Sequence, residues 1–211
     1  MANDNFVDLI QGTPEWHQAR AGSLGASQIH EALARTKTGW GASRANLEAL
    51  LVIERITGMP VETYTSPAMQ WGKDTESEAL ANYEFISGNE VKSVGLVRHP
   101  RIPFTHASPD GLVGGLGLIE AKCPNSATHI QTLLSGEIDG KYRKQMQWQM
   151  ACTGRQWCDF VSYDPRLPAT MRFWMQRFER DDNIIKVMEH EVETFLDGVA
   201  EIVGTLKERY G

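Results

Sequence analysis

A mixed α/β domain, with a central β-sheet flanked by helices, is the fold class this sequence predicts, on three observations. The first third reads as consecutive capped helices. A cluster of short β-branched or apolar segments bounded by turn residues follows. A helix, two more strand-like segments and a long amphipathic helix then complete the chain. Helices, strands, a helix and strands again make an α/β or α+β sheet domain.

In order, TPEWHQARAG opens as a helix, with Thr13 as N-cap, Pro14 at the first helical position and Gly22 as the stop. GASQIHEAL predicts a second, short helix capped by Ser27. SRANLEALLVIERITGMP is a third, ended by Gly58 and Pro60. SPAMQWGKDTESEALANYEFISG repeats the Ser-Pro opening, and its apolar positions predict a helix over 67–86. VKSVGLVR, PFTHAS and LGLIEAKC read as strands, and Gly114-Gly115 suits a tight hairpin turn with positive φ. The chain reads as a helix again over 140–153, and WCDFVSYD and MRFWMQRF resume strands. In the closing stretch Ile184, Ile185, Met188, Val192, Phe195, Val199, Ile202 and Leu206 form one helical stripe, expected to pack into the core.

A chain of 211 residues can bury a sizeable core, and the expectation is a single domain over 1–211. Its hydrophobic fraction of 41% and charged fraction of 23% are those of an ordinary globular protein, and no apolar run approaches the roughly 20 residues needed to span a bilayer. The opening MANDNFVDLI has no basic n-region, so a cytosolic location is expected. Cys123, Cys152 and Cys158 include no CxxC pair and are too few for a zinc or iron–sulfur site. A net charge of −6 does not advertise a nucleic-acid binder, but a nuclease can be acidic outside while its basic residues line one groove.

The chemistry concentrates in SPDGLVGGLGLIEAKCP, residues 108–124. On a strand, Glu120 and Lys122 share a face while Ala121 points toward packing. Asp110 lies across the glycine turn on the preceding arm, where it can approach the same point. Two carboxylates converging at a sheet edge make a hard oxygen site for Mg²⁺ or Mn²⁺, able to polarise a phosphodiester and acidify a water. Lys122 can orient that water or stabilise charge on a phosphorane. On the Glu-x-Lys spacing alone, a solvated hairpin is the ordinary alternative.

The longer pattern, Pro109-Asp110 and then Glu120-Ala121-Lys122, resembles the PD-(D/E)xK nuclease signature, specifically in the lambda-exonuclease and YqaJ-type viral recombinase family. EWHQARAGSLGASQIH, WGKDTESEA, YRKQMQWQM and YDPR each resemble a block of that family in the same order, with the loop expected around residues 125–140 least alike. The resemblance implies a PD-(D/E)xK core in which Asp110, Glu120 and the Ala121 carbonyl hold Mg²⁺, with Mn²⁺ as a substitute, and Lys122 serves the nucleophilic water. It makes Glu76, on the apolar side of its predicted helix, a further acidic residue of the site. Gln145 matches a glutamine that contacts DNA or the attacking water. Where many related nucleases carry a tyrosine four residues later, this chain has Gln149, whose role stays open.

The matching arginine and serine of the family form a pocket for a 5′-terminal phosphate, which would be Arg20 and Ser27 here. A helix N-terminus favours an anion, and an arginine clamps phosphate with two parallel hydrogen bonds. Lys37, in the basic loop RTKTG, could hold DNA backbone or simply face solvent. Met69 matches the position of an apolar wedge that parts the duplex end; core packing is the alternative.

The expected function is therefore a Mg²⁺-dependent 5′→3′ exonuclease on double-stranded DNA ends. The family further implies a ring-shaped homotrimer, a single-strand annealing protein as partner, and a phage or prophage origin in a bacterial cytoplasm. A structure-specific endonuclease or an iron–sulfur nuclease of the same fold are rival readings, as is a DNA-end-binding module with a vestigial site.

Overall fold

The computed structural model describes residues 5–37, 39–62 and 64–211. In chain order these form β1 (Phe6–Val7), α1 (Pro14–Arg20), β2 (Leu24–Gly25), a 3₁₀ turn (Ala26–Gln28), α2 (Ile29–Ala32), β3 (Arg35–Thr36), β4 (Gly39–Trp40), α3 (Ala42–Thr57) and α4 (Pro67–Ser87). There follow β5 (Val91–Lys92), β6 (Leu96–Arg98), β7 (Thr105–Ala107), β8 (Gly111–Val113), β9 (Gly117–Lys122), α5 (Ser126–Ser135) and α6 (Gly140–Thr153). β10 (Trp157–Tyr163), a second 3₁₀ turn (Ala169–Met171), β11 (Phe173–Glu179) and α7 (Asp182–Tyr210) complete the fold.

The expected central mixed sheet is a five-stranded one in the order β11-β10-β9-β8-β5. β9 and β10 run parallel, and the other neighbours are antiparallel. Parallel neighbours need a crossover between them, and α5 and α6 supply it. One face of this sheet packs Ile119, Ala121 and Val161 on Ala79 and Tyr83 of α4. The other packs Leu118, Cys158 and Phe160 on Met146 and Met150 of α6. The far side of α6, with Trp148, Ala151 and Cys152, enters a larger core built from α2, α3, α7 and strands β6 and β7. A helix caught between two cores keeps no solvated face there, so α6 is buried from Met146 to Thr153.

Local chemistry explains most of the boundaries. Thr13 accepts from the Trp16 amide at 3.3 Å and Ser66 from the Met69 amide at 3.2 Å, so both Ser/Thr-Pro helix openings are capped as expected. Asp181 starts α7 by accepting from Asn183 and Ile184. On that helix Ile185, Met188, Val192, Phe195 and Val199 are buried, whereas Ile184 and Ile202, expected in the same stripe, are largely exposed. The β8–β9 turn spans three residues, and only Gly114 of its glycine pair has positive φ, at 51°.

Three expectations need correction. Ser27 is no helix cap: it lies inside the 3₁₀ turn, where the Gln28 amide oxygen accepts from Gly25 N–H at 3.1 Å and takes over the capping. Residues 126–135, expected as a loop, form α5. Its buried side chains are the polar His129 and Thr132, while Leu134 is 78% exposed, so hydrophobic periodicity gave no sign of it. A second sheet, β1-β6-β7-β2, also stands beside the first; its strands of two or three residues are too short to show alternation. Among the described residues, no helix is long and apolar enough to cross a membrane, and all three cysteines are buried free thiols.

The YDPR segment after β10 ties the site's flank together. Asp164 is fully buried and accepts from the Arg166 backbone and guanidinium, which also reaches the Pro124 carbonyl at 2.9 Å and covers the Trp71 ring at 4.4 Å. Burial alone would raise the Asp164 carboxyl, but the Arg166 hydrogen bonds hold it at about 2. A carboxyl depressed by folding stabilises above its unfolded value of 3.8 and loses that contribution as pH falls toward 2. Acid unfolding followed by circular dichroism should therefore steepen in this window, and Asp164→Asn should be less stable at neutral pH with a shallower acid limb. An unchanged limb would refute the assignment.

Candidate active site

The hairpin β8–β9 places the acids. Ile119 pairs with Gly111, so β8 ends one residue short of Glu120 and Asp110 sits at the open end of the ladder. There Asp110 Oδ2 accepts from Ala121 N–H at 2.7 Å. A strand residue points its N–H and C=O to the same side, so the Ala121 carbonyl also faces this opening beyond β8. Asp110 Oδ1 has no protein hydrogen-bond partner among the described residues.

Glu120 lies on the opposite face to Ala121 and is fully buried. Its Oε1 accepts from Gln145 at 2.5 Å and pairs with the Lys122 ammonium; its Oε2 accepts from Gln149 at 2.5 Å. Gln145 and Gln149, one helical turn apart on α6, thus grip one carboxylate from the same side. Gln149, left open by the sequence, is a positioning residue for Glu120, and its own Oε1 is buried without a partner among the described residues. Glu76 approaches from α4 on the other face of the sheet, half-buried, and lines a cavity of about 570 Å³ with Asp110, Leu80 and the segment Phe6–Gln11.

The electrostatics show a surplus of negative charge at one point. Burial raises the Asp110 carboxyl well above its ordinary value, and Glu120 and Glu76 raise it further. Burial likewise raises Glu76, with Lys122 opposing and Glu120 adding. Burial would depress the Lys122 ammonium, but Glu120 and Asp110 outweigh it and hold the group protonated.

A divalent cation fits this donor chemistry. Two carboxylates and a peptide carbonyl are all hard oxygens, one Asp110 oxygen is uncommitted, and the acids repel one another. Among the described residues, no three acidic, histidine or cysteine side chains stand together as a ready cage. A cation held here would take the Ala121 carbonyl as a third protein donor, and Glu120 would have to exchange a hydrogen bond or its Lys122 contact to join.

Of the residues expected to meet a DNA end, Arg20 is linked to the acidic hairpin through Trp16. The Arg20 guanidinium covers the Trp16 ring at 3.9 Å. Trp16 Nε1 in turn donates to the Gly95 carbonyl at 3.1 Å and to Ser108 Oγ at 3.2 Å, two residues before Asp110. Ser27 is exposed, two residues beyond Gly25, and a Cβ on Gly25 would lie 3.4 Å from Arg20 Nη2. Lys37 is exposed in the β3–β4 hairpin, whose Arg35 is tied to Glu191 at 2.7 Å; Thr38 of the same basic loop lies outside the described residues. Met69, in the first turn of α4, is 52% exposed, so core packing is not its role. Trp16, Ser108 and His106 were not foreseen as site residues, since nothing in their local spacing marks them.

Comparison with known proteins finds this fold in other exonucleases. An alkaline exonuclease from Laribacter hongkongensis is 48% identical, over 93% of this chain and 97% of its own. It superposes with a TM-score of 0.87, and of 0.88 for its complex with dAMP. A phage-related exonuclease from Haemophilus somnus 129PT gives a TM-score of 0.69 at 15% identity, over 90% of this chain and 99% of its own, a likeness of fold alone. No curated protein matches at a significant level. The family model of the YqaJ-like viral recombinase domain matches residues 15–156, from the helix of Arg20 through the acidic hairpin to the helix of Gln145 and Gln149. With the hairpin, its supporting helix and the Arg20 edge all inside that span, the chain belongs to the YqaJ-like viral recombinase family.

Proposed function

We propose that this protein is a Mg²⁺-dependent exonuclease that enters a double-stranded DNA end, digests the 5′-phosphorylated strand 5′→3′ and leaves a 3′ single-stranded tail. The observation that carries the reading is the convergence of Asp110, Glu120, Lys122 and the Ala121 carbonyl at the open end of one hairpin. The 48% identity to an alkaline exonuclease supports it.

Asp110, Glu120 and the Ala121 carbonyl would hold the cation, with Glu76 supporting them through water. When bound, Mg²⁺, or Mn²⁺ in its place, polarises the scissile phosphodiester and acidifies a water. Lys122, kept protonated, can only donate hydrogen bonds, so it orients the attacking water through a lone pair or stabilises charge on the phosphorane. Gln145 and Gln149 fix the Glu120 carboxylate. Arg20 and Ser27 receive the terminal 5′-phosphate and so set polarity, Lys37 contacts backbone phosphate, and exposed Met69 wedges the duplex end.

A ring of three copies is the assembly proposed with this activity, because a net charge of −6 suits DNA only if basic residues gather in one channel. A single-strand annealing protein would take the tail in a phage or prophage recombination reaction. Light scattering showing a stable monomer would remove the ring.

The decisive experiment incubates strand-specifically labelled linear duplexes, with 5′-phosphate or 5′-hydroxyl ends, in Mg²⁺, Mn²⁺ or EDTA. Shortening of the phosphorylated strand from its 5′ end, absent in EDTA, is expected. Shortening from the 3′ end, digestion in EDTA, or cleavage of closed circles would overturn the reading.

A further inference from the structure

Arg20 is held in an unusual way for an arginine beside an active site. Its Nε donates to His106 Nε2 at 3.0 Å. Since a guanidinium N–H can only donate, Nε2 must accept, and the imidazole proton is therefore on Nδ1. There it donates to Ser23 Oγ at 2.8 Å. His106 is 1% exposed on β7, so the ring is fixed at both nitrogens and by its packing. Neither Nη nitrogen of Arg20 bonds a protein acceptor among the described residues.

The charge arrangement is equally specific. No carboxylate forms an ion pair with Arg20 among the described residues. The acid whose field it feels, Glu54, has both oxygens committed to backbone donors, Gly22 N–H at 2.7 Å and Val61 N–H at 3.0 Å. Crowding protects the geometry: a Cβ on Gly25 would lie 3.3 Å from His106 Nε2 and 3.4 Å from Arg20 Nη2.

We infer that His106 is a positioning residue for a terminal phosphate, fixing the Arg20 guanidinium by its Nε edge while leaving both Nη donors and the full positive charge to the ligand. This rests on Arg20 receiving the 5′-phosphate, as proposed above. A carboxylate at position 106 would orient the arginine equally well but neutralise it, and an apolar residue would leave Nε unpartnered and the guanidinium, still stacked on Trp16, free to turn in its own plane. Imidazole orients without neutralising. Burial, with Arg20 and Arg98 adding, pushes the His106 imidazolium down to about 3, so the ring stays neutral at working pH.

The test measures kcat and KM separately on linear duplexes with 5′-phosphate or 5′-hydroxyl ends. His106→Leu should raise KM for phosphorylated ends about tenfold, the worth of one lost positioning hydrogen bond, and leave hydroxyl ends unchanged. His106→Gln, whose amide oxygen can accept from Arg20 Nε, should recover most of the loss, and His106→Glu should exceed the leucine variant by cancelling charge. Equal losses on both kinds of end, or no recovery by glutamine, would reduce His106 to a part of the fold and overturn the inference. If Arg20→Ala abolishes the phosphate preference while His106→Leu keeps it, this inference alone fails. If Arg20→Ala leaves the preference intact, the phosphate reading beneath it fails too. Should His106→Leu not fold, Ser23→Ala, which frees the far nitrogen of the ring, decides: an unchanged KM for phosphorylated ends refutes the positioning role.

Discussion

Alanine at position 110 is expected to slow strand digestion by roughly 10³-fold or more, the scale of losing several kcal/mol of cation-assisted stabilisation, while binding of DNA ends survives. One Asp110 oxygen has no protein hydrogen-bond partner among the described residues, and its other oxygen holds the Ala121 amide whose carbonyl shares the opening. Glu120 cannot replace it, because that carboxylate is engaged by Gln145, Gln149 and Lys122. The fold should tolerate the change. The Asp110 carboxyl is raised by burial and by Glu120 and Glu76, so removing it relieves repulsion. Thermal stability at neutral pH should hold or rise, as is common where a strained site is dismantled. Single-turnover digestion, anisotropy of a labelled DNA end and thermal unfolding separate these effects. Undiminished digestion would sink the site assignment; loss of folding would sink the electrostatic argument.

Gly95→Ala should be the most damaging small substitution, destabilising by about 3 kcal/mol and lowering Tm by about 10 °C for a chain of this size. A Cβ there would lie 2.1 Å from the Leu9 carbonyl oxygen and 2.7 Å from the Leu9 nitrogen, both backbone atoms with no rotamer to change. The segment cannot easily withdraw. Gln11 is pinned to the Val94 carbonyl at 2.8 Å and the Pro109 carbonyl at 2.9 Å, and Gly95 itself accepts from Trp16 Nε1. The same segment walls the cavity lined by Asp110 and Glu76, so activity should fall with stability. Calorimetry reads the first and digestion the second. A Tm within about 2 °C of the parent would show that the strap moves freely, against the overpacking expected here.

Much of the site was legible because it is local in the chain. The span Asp110–Lys122 is one hairpin, and strand alternation alone puts Glu120 and Lys122 on a common face. The i,i+4 spacing of Gln145 and Gln149 put both on one side of α6, yet only the crossover from β9 to β10 shows that this side meets Glu120. Ser27 misled because a serine before a helix is an ordinary cap; Gln28 outcompetes it by reaching back to Gly25 N–H. α5 stayed hidden because its inward side chains are polar, with His129 bonded to Ser162 at 2.7 Å and to the Met171 carbonyl at 2.8 Å.

By itself the sequence determined the elements with strong local codes: the Ser/Thr-Pro helix starts, the amphipathic stripe of α7 and the acidic hairpin. These depend on residues within a few positions of one another, where covalent geometry already limits the outcome. Only the tertiary structure decided which distant groups meet. His106 reaches Arg20 across 86 residues of chain, and Trp16 reaches Ser108 across 92. Such pairings follow from the packing of two sheets around α6 and leave no periodicity behind, because a hydrogen bond between separate elements constrains their positions in space and not their spacing in sequence.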